Sequence, residues 1–181
     1  ELEKRTPAIK MYTHGTSIYL MDNPMLALIY HVHAMKAALK GRGSPESLIK
    51  VVVDRASLLG YMGFHKAAYR YFDLCMDVTR ACNLRGLYGY TALRRVLFLD
   101  YTKGRNDEVS DNLTEAMHYL NPNEDRLSYG LGICFTIFKE LSRCNFDAVN
   151  KLCQKMPNLI PTRNWLSPRS VSMMLYGYLL Q

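Results

Sequence analysis

A turn signal recurring every 40 or 41 residues constrains this chain more than any other feature of it. Asp22, Gly63, Gly104 and Cys144 stand 41, 41 and 40 residues apart, each at the head of a similar apolar pattern. Five positions after each comes a small or β-branched apolar residue: Ala27, Ala68, Val109 and Val149. Seven further on stand Ala34, Cys75, Ala116 and Met156, followed in the first three units by Met35, Met76 and Met117. Eleven positions before each turn lie Met11, Val52, Leu93 and Ile133. One such column would be chance, but several holding over four units would not. A period of this length marks a stacked repeat, in which a single supersecondary unit cannot bury its apolar face alone.

Each unit reads as two helices with a tight turn. Ile49, Val52, Val53, Ala56 and Leu59 follow a three-to-four spacing before Gly63, and Ala68, Phe72, Cys75 and Met76 follow it afterwards. That spacing is one face of an amphipathic helix. Gly63 supplies the positive φ that ends the first helix. Ser44-Pro45-Glu46-Ser47 places a capping Ser before Pro at the first helical position, with an acid in the first turn. Asn121-Pro122-Asn123-Glu124-Asp125 separates the third unit from the fourth in the same way, and Ser167-Pro168 opens a last helix. Val51 to Val53 is β-prone by itself but sits inside the helical period, so no strand is expected.

The expected architecture is one all-α repeat domain over 1–181, with hairpins at about 7–41, 47–85, 88–121 and 127–161 and a terminal helix at 168–181. Lys40-Gly41-Arg42-Gly43 is expected to be the most flexible link. The next turn would fall near residue 185 by the same period. The segment is therefore expected to be a piece of a longer repeat protein. Glu1, with no charged-then-apolar leader after it, is expected to mark processing or a fragment boundary.

Composition narrows the class. Hydrophobic residues make up 49% and charged ones 22%, which excludes a disordered or collagen-like chain. The longest uncharged stretches, such as Asn23 to Met35, are shorter than the roughly 20 residues a membrane helix needs. Five cysteines without CxxC spacing read as reduced, buried thiols of an intracellular protein, cytoplasmic or nuclear.

At the repeat columns the chain resembles the tetratricopeptide-repeat (TPR-like) superfamily, in a degenerate form of long period. The small position of the first helix is matched by Gly15 and Ala56 and departed from by Leu97 and Ile137. Gly63 and Gly104 match the turn, Ala27, Ala34, Ala68 and Ala116 the small positions of the second helix, and Pro161 the proline near its end. The spacing exceeds that family's usual repeat of about 34 residues. It resembles the longer relatives used in cell-division scaffolds, kinesin light chains and bacterial signal-sensing regulators. The resemblance implies a right-handed α-α superhelix whose first helices line a concave groove. It turns Tyr12, Thr16 and Tyr19, then Lys50, Val53, Ser57 and Tyr61, toward that groove. From the later units come Arg94, Phe98 and Tyr101, then Cys134, Phe138 and Ser142. Tyr61, Phe98 and Tyr101 are the expected apolar anchors for a partner segment, and Lys50, Arg94 and Arg95 the expected selectors of acidic groups.

Charge points the same way. The chain carries a formal +7, yet Lys36 to Arg105 alone holds thirteen cations against five anions. A surplus centred on units two and three suits an acidic or phosphorylated protein segment. Phosphate of a nucleic acid is an alternative, weakened by the lack of any nucleic-acid motif or Lys/Arg run. A ligand-sensing domain of a multidomain regulator is another.

Catalytic chemistry finds no foothold. His31 and His33, two apart, point to different sides of a helix and make no metal pair. The cysteines repeat no ligand spacing. Gly130-Leu131-Gly132 lacks the third glycine and the preceding strand of a nucleotide loop. Asn112-Leu113-Thr114 fits a glycosylation pattern but lies within an expected helix. The expectation is a non-catalytic interaction scaffold or regulatory subunit without cofactor or metal.

Overall fold

Apolar residues at three-to-four spacing become helices wherever a second helix can cover them, and the turns set where each one stops. The computed structural model describes residues 2–41, 44–100 and 106–159. Within them the helices are α1 (Leu2–Asp22), α2 (Pro24–Gly41), α3 (Pro45–Tyr61) and α4 (His65–Ala81). They continue with α5 (Arg85–Arg95), extended by a π-helical segment (Val96–Asp100), then α6 (Asn106–Tyr119), α7 (Arg126–Ser142) and α8 (Phe146–Leu159). No strand occurs among the described residues.

Packing follows chain order. The closest partners are α1 with α2, α3 with α4, α5 with α6 and α7 with α8, and each hairpin leans on the next through α2–α3, α4–α5 and α6–α7. First helices also meet one another, α1 with α3, α3 with α5 and α5 with α7, whereas no two second helices pack comparably. The result is an all-α stack with an inner layer of first helices and a more open outer layer. Ala27, Ala34, Ala68 and Ala116, the small columns of the repeat, are each fully buried. A missing side chain there lets helix axes approach closely.

Backbone chemistry closes the turns. Gly63, Asn83 and Cys144 all take positive φ, at 84°, 53° and 55°. The N–H of the residue after each donates five residues back: Phe64 to Leu59, Leu84 to Thr79, Asn145 to Glu140. Gly63, Asn83 and Cys144 themselves donate to the carbonyls of Gly60, Arg80 and Leu141. This is one Schellman motif used three times, satisfying carbonyls that a helix end leaves open. Three helix starts are capped by side chains: Ser44 Oγ accepts from Ser47 N at 3.2 Å, Asn23 Oδ1 from Leu26 N at 3.0 Å and Asp125 Oδ1 from Ser128 N at 3.0 Å, whereas α4 and α5 begin after Phe64 and Leu84 without one.

Some expectations need correcting, and others fall outside the described residues. Of the five cysteines, Cys75 and Cys134 are buried, but Cys82, Cys144 and Cys153 are exposed. Cys82 and Cys144 sit in interhelical turns and Cys153 on the last described helix, where no described residue covers the thiol. The Gly104 turn, Arg42 and Gly43 of the expected link, Pro161 and the expected helix at 168–181 lie outside the described residues.

Two glycine-related substitutions test this backbone reading. Cys144→Gly removes the cost of a left-handed L-residue and should stabilise by about 1 kcal/mol. Gly60→Ala gains about 1 kcal/mol of helix propensity. However, its Cβ would collide with the carbonyl oxygen of Phe98 in the π-helical segment. The clash should win, lowering stability by about 1–3 kcal/mol. Denaturant unfolding of both variants checks the two signs.

Candidate functional site

The inner layer encloses a polar cavity of about 300 Å³. All of its lining comes from the first helices or the loops that lead into them. Lys10, Thr13, His14 and Ser17 come from α1, Ser44 precedes α3, and Glu46, Ser47 and Lys50 lie on α3. Tyr90 and Arg94 come from α5, and Glu124, Asp125 and Ser128 from the start of α7. A second recess of about 290 Å³ shares Glu46, Lys50, Tyr90, Glu124 and Asp125 and extends the depression past Arg85 and Leu87 to Leu120 and Asn121.

At its floor lies a buried charge. Arg94 is only 5% exposed, and its Nη2 donates to Ser17 Oγ of α1. Its guanidinium stands 5.3 Å from the ring centre of Tyr90 and 5.4 Å from that of Phe98. Lys50 places its ammonium 5.4 Å from the centre of the same Tyr90 ring. Ring faces are negative, so such contacts partly replace the water a buried cation has lost. Burial opposes the charge on Arg94, but Tyr90, Asp54 and Asp125 more than offset that and hold its pKa above the usual value.

Behind Tyr90 sits Asp54, 1% exposed. Tyr90 donates its hydroxyl to Asp54 Oδ1 at 3.4 Å, and Oδ2 has no hydrogen-bond partner. Burial pushes the carboxyl up to about 7, and the attraction of Arg94, the Tyr90 hydrogen bond and Lys50 only partly counter it. Burial also raises the Tyr90 hydroxyl and, aided by Lys50, lowers the pKa of His14 at the cavity edge. Asp125 spends both oxygens on Ser128, taking its N–H at 3.0 Å and its hydroxyl at 2.9 Å. The cavity therefore offers cations (Lys10, Lys50, Arg94), carboxylates (Glu46, Glu124, Asp125) and hydroxyls, and is not uniformly basic.

The expected groove residues divide. Lys50 and Arg94 meet at this cavity. Arg94, expected to be exposed, is buried instead, because α1 and α3 close over α5 at that level. Arg95 lies elsewhere, next to α4, with Nη1 on Asp73 Oδ1 at 2.8 Å, Nε 3.6 Å from Asp100 Oδ2 and its guanidinium over the ring of Tyr69. Phe98 is buried under Arg94 and is not a surface anchor. Tyr61 is exposed at the end of α3, away from the cavity lining. Tyr101 lies outside the described residues.

Other groove positions turn inward. Thr16, Val53, Ser57, Cys134 and Phe138 are buried, and Tyr12 and Tyr19 face α2, where they lie against Tyr30. Lys10, His14, Ser17, Tyr90 and Asp125 were missed by the periodicity. The available signal was helical spacing: Tyr90 precedes Arg94 by four residues and Asp54 follows Lys50 by four, so each pair shares a helix face.

Burial of Asp54 gives a pH signature. Its folded pKa, about 7, stands above the unfolded value, so folding favours the protonated form. Its stabilising contribution is complete below the unfolded pKa of about 3.9 and is lost as pH rises through about 7. Asp54→Asn mimics the protonated state and should melt several degrees above the parent at pH 8, with the gap clearly narrower at pH 5. Thermal unfolding at the two pH values reads this directly.

Among the described residues no three His, Cys, Asp or Glu converge as a metal site, and no helix is long and apolar enough to cross a membrane. Comparison with protein-family models finds no match, and comparisons with curated proteins and with solved structures find none either.

Proposed function

We propose that this chain is a non-catalytic interaction module of a scaffold or regulatory subunit: a right-handed superhelix of TPR-like hairpins whose inner face takes a segment of a partner protein. One observation carries the reading. The inner cavity takes its lining from all four first helices, so it exists only when the hairpins are stacked. A groove assembled across repeats suits an extended or helical segment that crosses them in turn.

The charge pattern refines the partner. Lys10, Lys50 and Arg94 can receive an acidic group, while Glu46 and Glu124 face the same space and suit a donor. The fitting segment pairs an acidic side chain with neighbouring amide or hydroxyl donors and is not a run of acids. The same carboxylates disfavour a nucleic-acid backbone in this groove. A small-molecule sensor is less well supported, because ligand pockets are lined mostly by apolar side chains, whereas most of the side chains lining this cavity are charged or bear hydroxyls.

Lys10 is exposed and Lys50 half-buried, so both can be reversed without opening the core. Lys10→Glu with Lys50→Glu should leave the melting temperature nearly unchanged and cut partner recovery from cell extract about tenfold, mainly through slower association. Equal recovery by the parent and the double variant, at low and at high salt, would remove the groove reading.

A further inference from the structure

Part of the basic surplus lies outside the inner groove. Of the cations between Lys36 and Arg105, Lys36 is exposed on α2, Arg55 on the outer side of α3, and Lys66 and Arg70 on α4. α2 and α4 both pack on α3 but not comparably on each other, so a channel runs between them with α3 as its floor. Arg55 marks that floor. Its guanidinium lies 5.4 Å from the ring centre of Tyr71 on α4, and its charge acts on His31 of α2.

Both walls are apolar. On α2, Met25, Ile29, Val32 and Leu39 are between 42 and 78% exposed. With Lys36 they follow a strict four-three spacing over 14 residues. That is the seam pattern of a helix that packs on another helix, and it spans about 21 Å at 1.5 Å per residue. On α4, Leu74 and Val78 follow Tyr71 by three and seven residues, placing them on the same side as the ring that meets Arg55, and both are exposed. Exposed apolar side chains scattered singly are ordinary, but a row of four on α2 with two more on the neighbouring second helix α4 is not.

Charge selects the occupant. α2 contains no Asp or Glu. The carboxylates of α4 are ion-paired, Asp73 with Arg95 of α5 and Asp77 with Arg80. Lys36, Arg55 and Arg70 make no ion pair with any described residue. His31, 5% exposed and next to this floor, has neither ring nitrogen hydrogen-bonded.

We infer that the outer channel between α2 and α4 is a second docking surface, distinct from the inner groove, for an amphipathic helix of a partner protein with apolar residues at four-three spacing and acidic flanks. Its apolar seam would lie on Ile29, Val32, Leu74 and Val78, and its carboxylates would reach Lys36, Arg55 and Arg70. Burial of a seam supplies affinity, and charge complementarity supplies orientation.

The probe is a fluorescein-labelled synthetic helix of about 16 residues, with Leu at four-three spacing and Glu on its flanks. Its control has the same composition with the Leu spacing scrambled. Anisotropy should show salt-sensitive binding of the probe only. Ile29→Glu and Leu74→Glu should each weaken it at least about tenfold, Arg55→Glu should weaken it and flatten its salt dependence, and Lys50→Glu should leave it unchanged. Bound probe should also shift the His31 ring resonances in NMR spectra. Failure to bind, equal binding of the scrambled control, or loss on Lys50→Glu with none on Ile29→Glu would overturn the inference. So would a concentration-dependent dimer abolished by Ile29→Glu, which assigns the channel to a second copy. Arg55-dependent binding of duplex DNA or anionic vesicles that displaces the probe and survives Ile29→Glu would overturn it as well.

Discussion

The guanidinium of Arg94 is the charge around which the inner layer is organised. Removing such a group from water costs several kcal/mol unless neighbouring groups compensate. Here the compensation is distributed: a hydroxyl from α1, a ring from α5, another ring from the π-helical segment, and the negative potential of Asp54 on α3 and Asp125 before α7. No single hairpin contains this set. The stacking of hairpins and the solvation of one side chain are therefore the same problem. The close approach of the Phe98 carbonyl to Gly60 brings the necessary ring within reach.

Arg95, one residue on, supports a different part of the molecule. Adjacent helical residues diverge by about 100°, so the two guanidinium groups enter separate environments. Arg95 joins Asp73, Tyr69 and the buried Asp100, which also accepts from Tyr69 at 3.1 Å and from Asn112 at 3.3 Å. This network ties α4, the π-helical segment and α6 together. A dipeptide of like charges thus serves inner and outer layers at once. Reversing both residues together would disturb two structural clusters and could not isolate a binding surface.

Much of the architecture was legible in the chain itself. Among the described residues the periodic columns located the helical hairpins and the turns at Asp22, Gly63 and Cys144, and the Ser44 cap and the Gly63 turn have the geometry their residue types require. The phase of the inner face was harder to read. Periodicity identifies the apolar side of a helix, but in a stack each helix is covered from several directions, so Val53 and Ser57 are as buried as the residues that define the core. Burial of Arg94 was hidden for a related reason: its compensating groups lie 77 residues away at Ser17 and across α5 at Asp54, and no local pattern connects them. Counting charges located the basic surplus along the chain but not across it. The helices alternate between layers, and Lys50 and Arg55, five residues apart, open onto opposite faces.

The unequal contact between layers has a mechanical consequence. First helices press on one another and second helices do not, so the inner layer acts as the spine of the stack and the outer helices as slats fixed along it. Such an object is stiff to stretching along its spine and compliant to bending about it. α2 and α4 both lean on α3, and α3 is also the helix that carries Lys50 into the inner cavity. The two faces of the stack are therefore carried by one helix, which meets the inner cavity through Lys50 and the outer helices through Arg55.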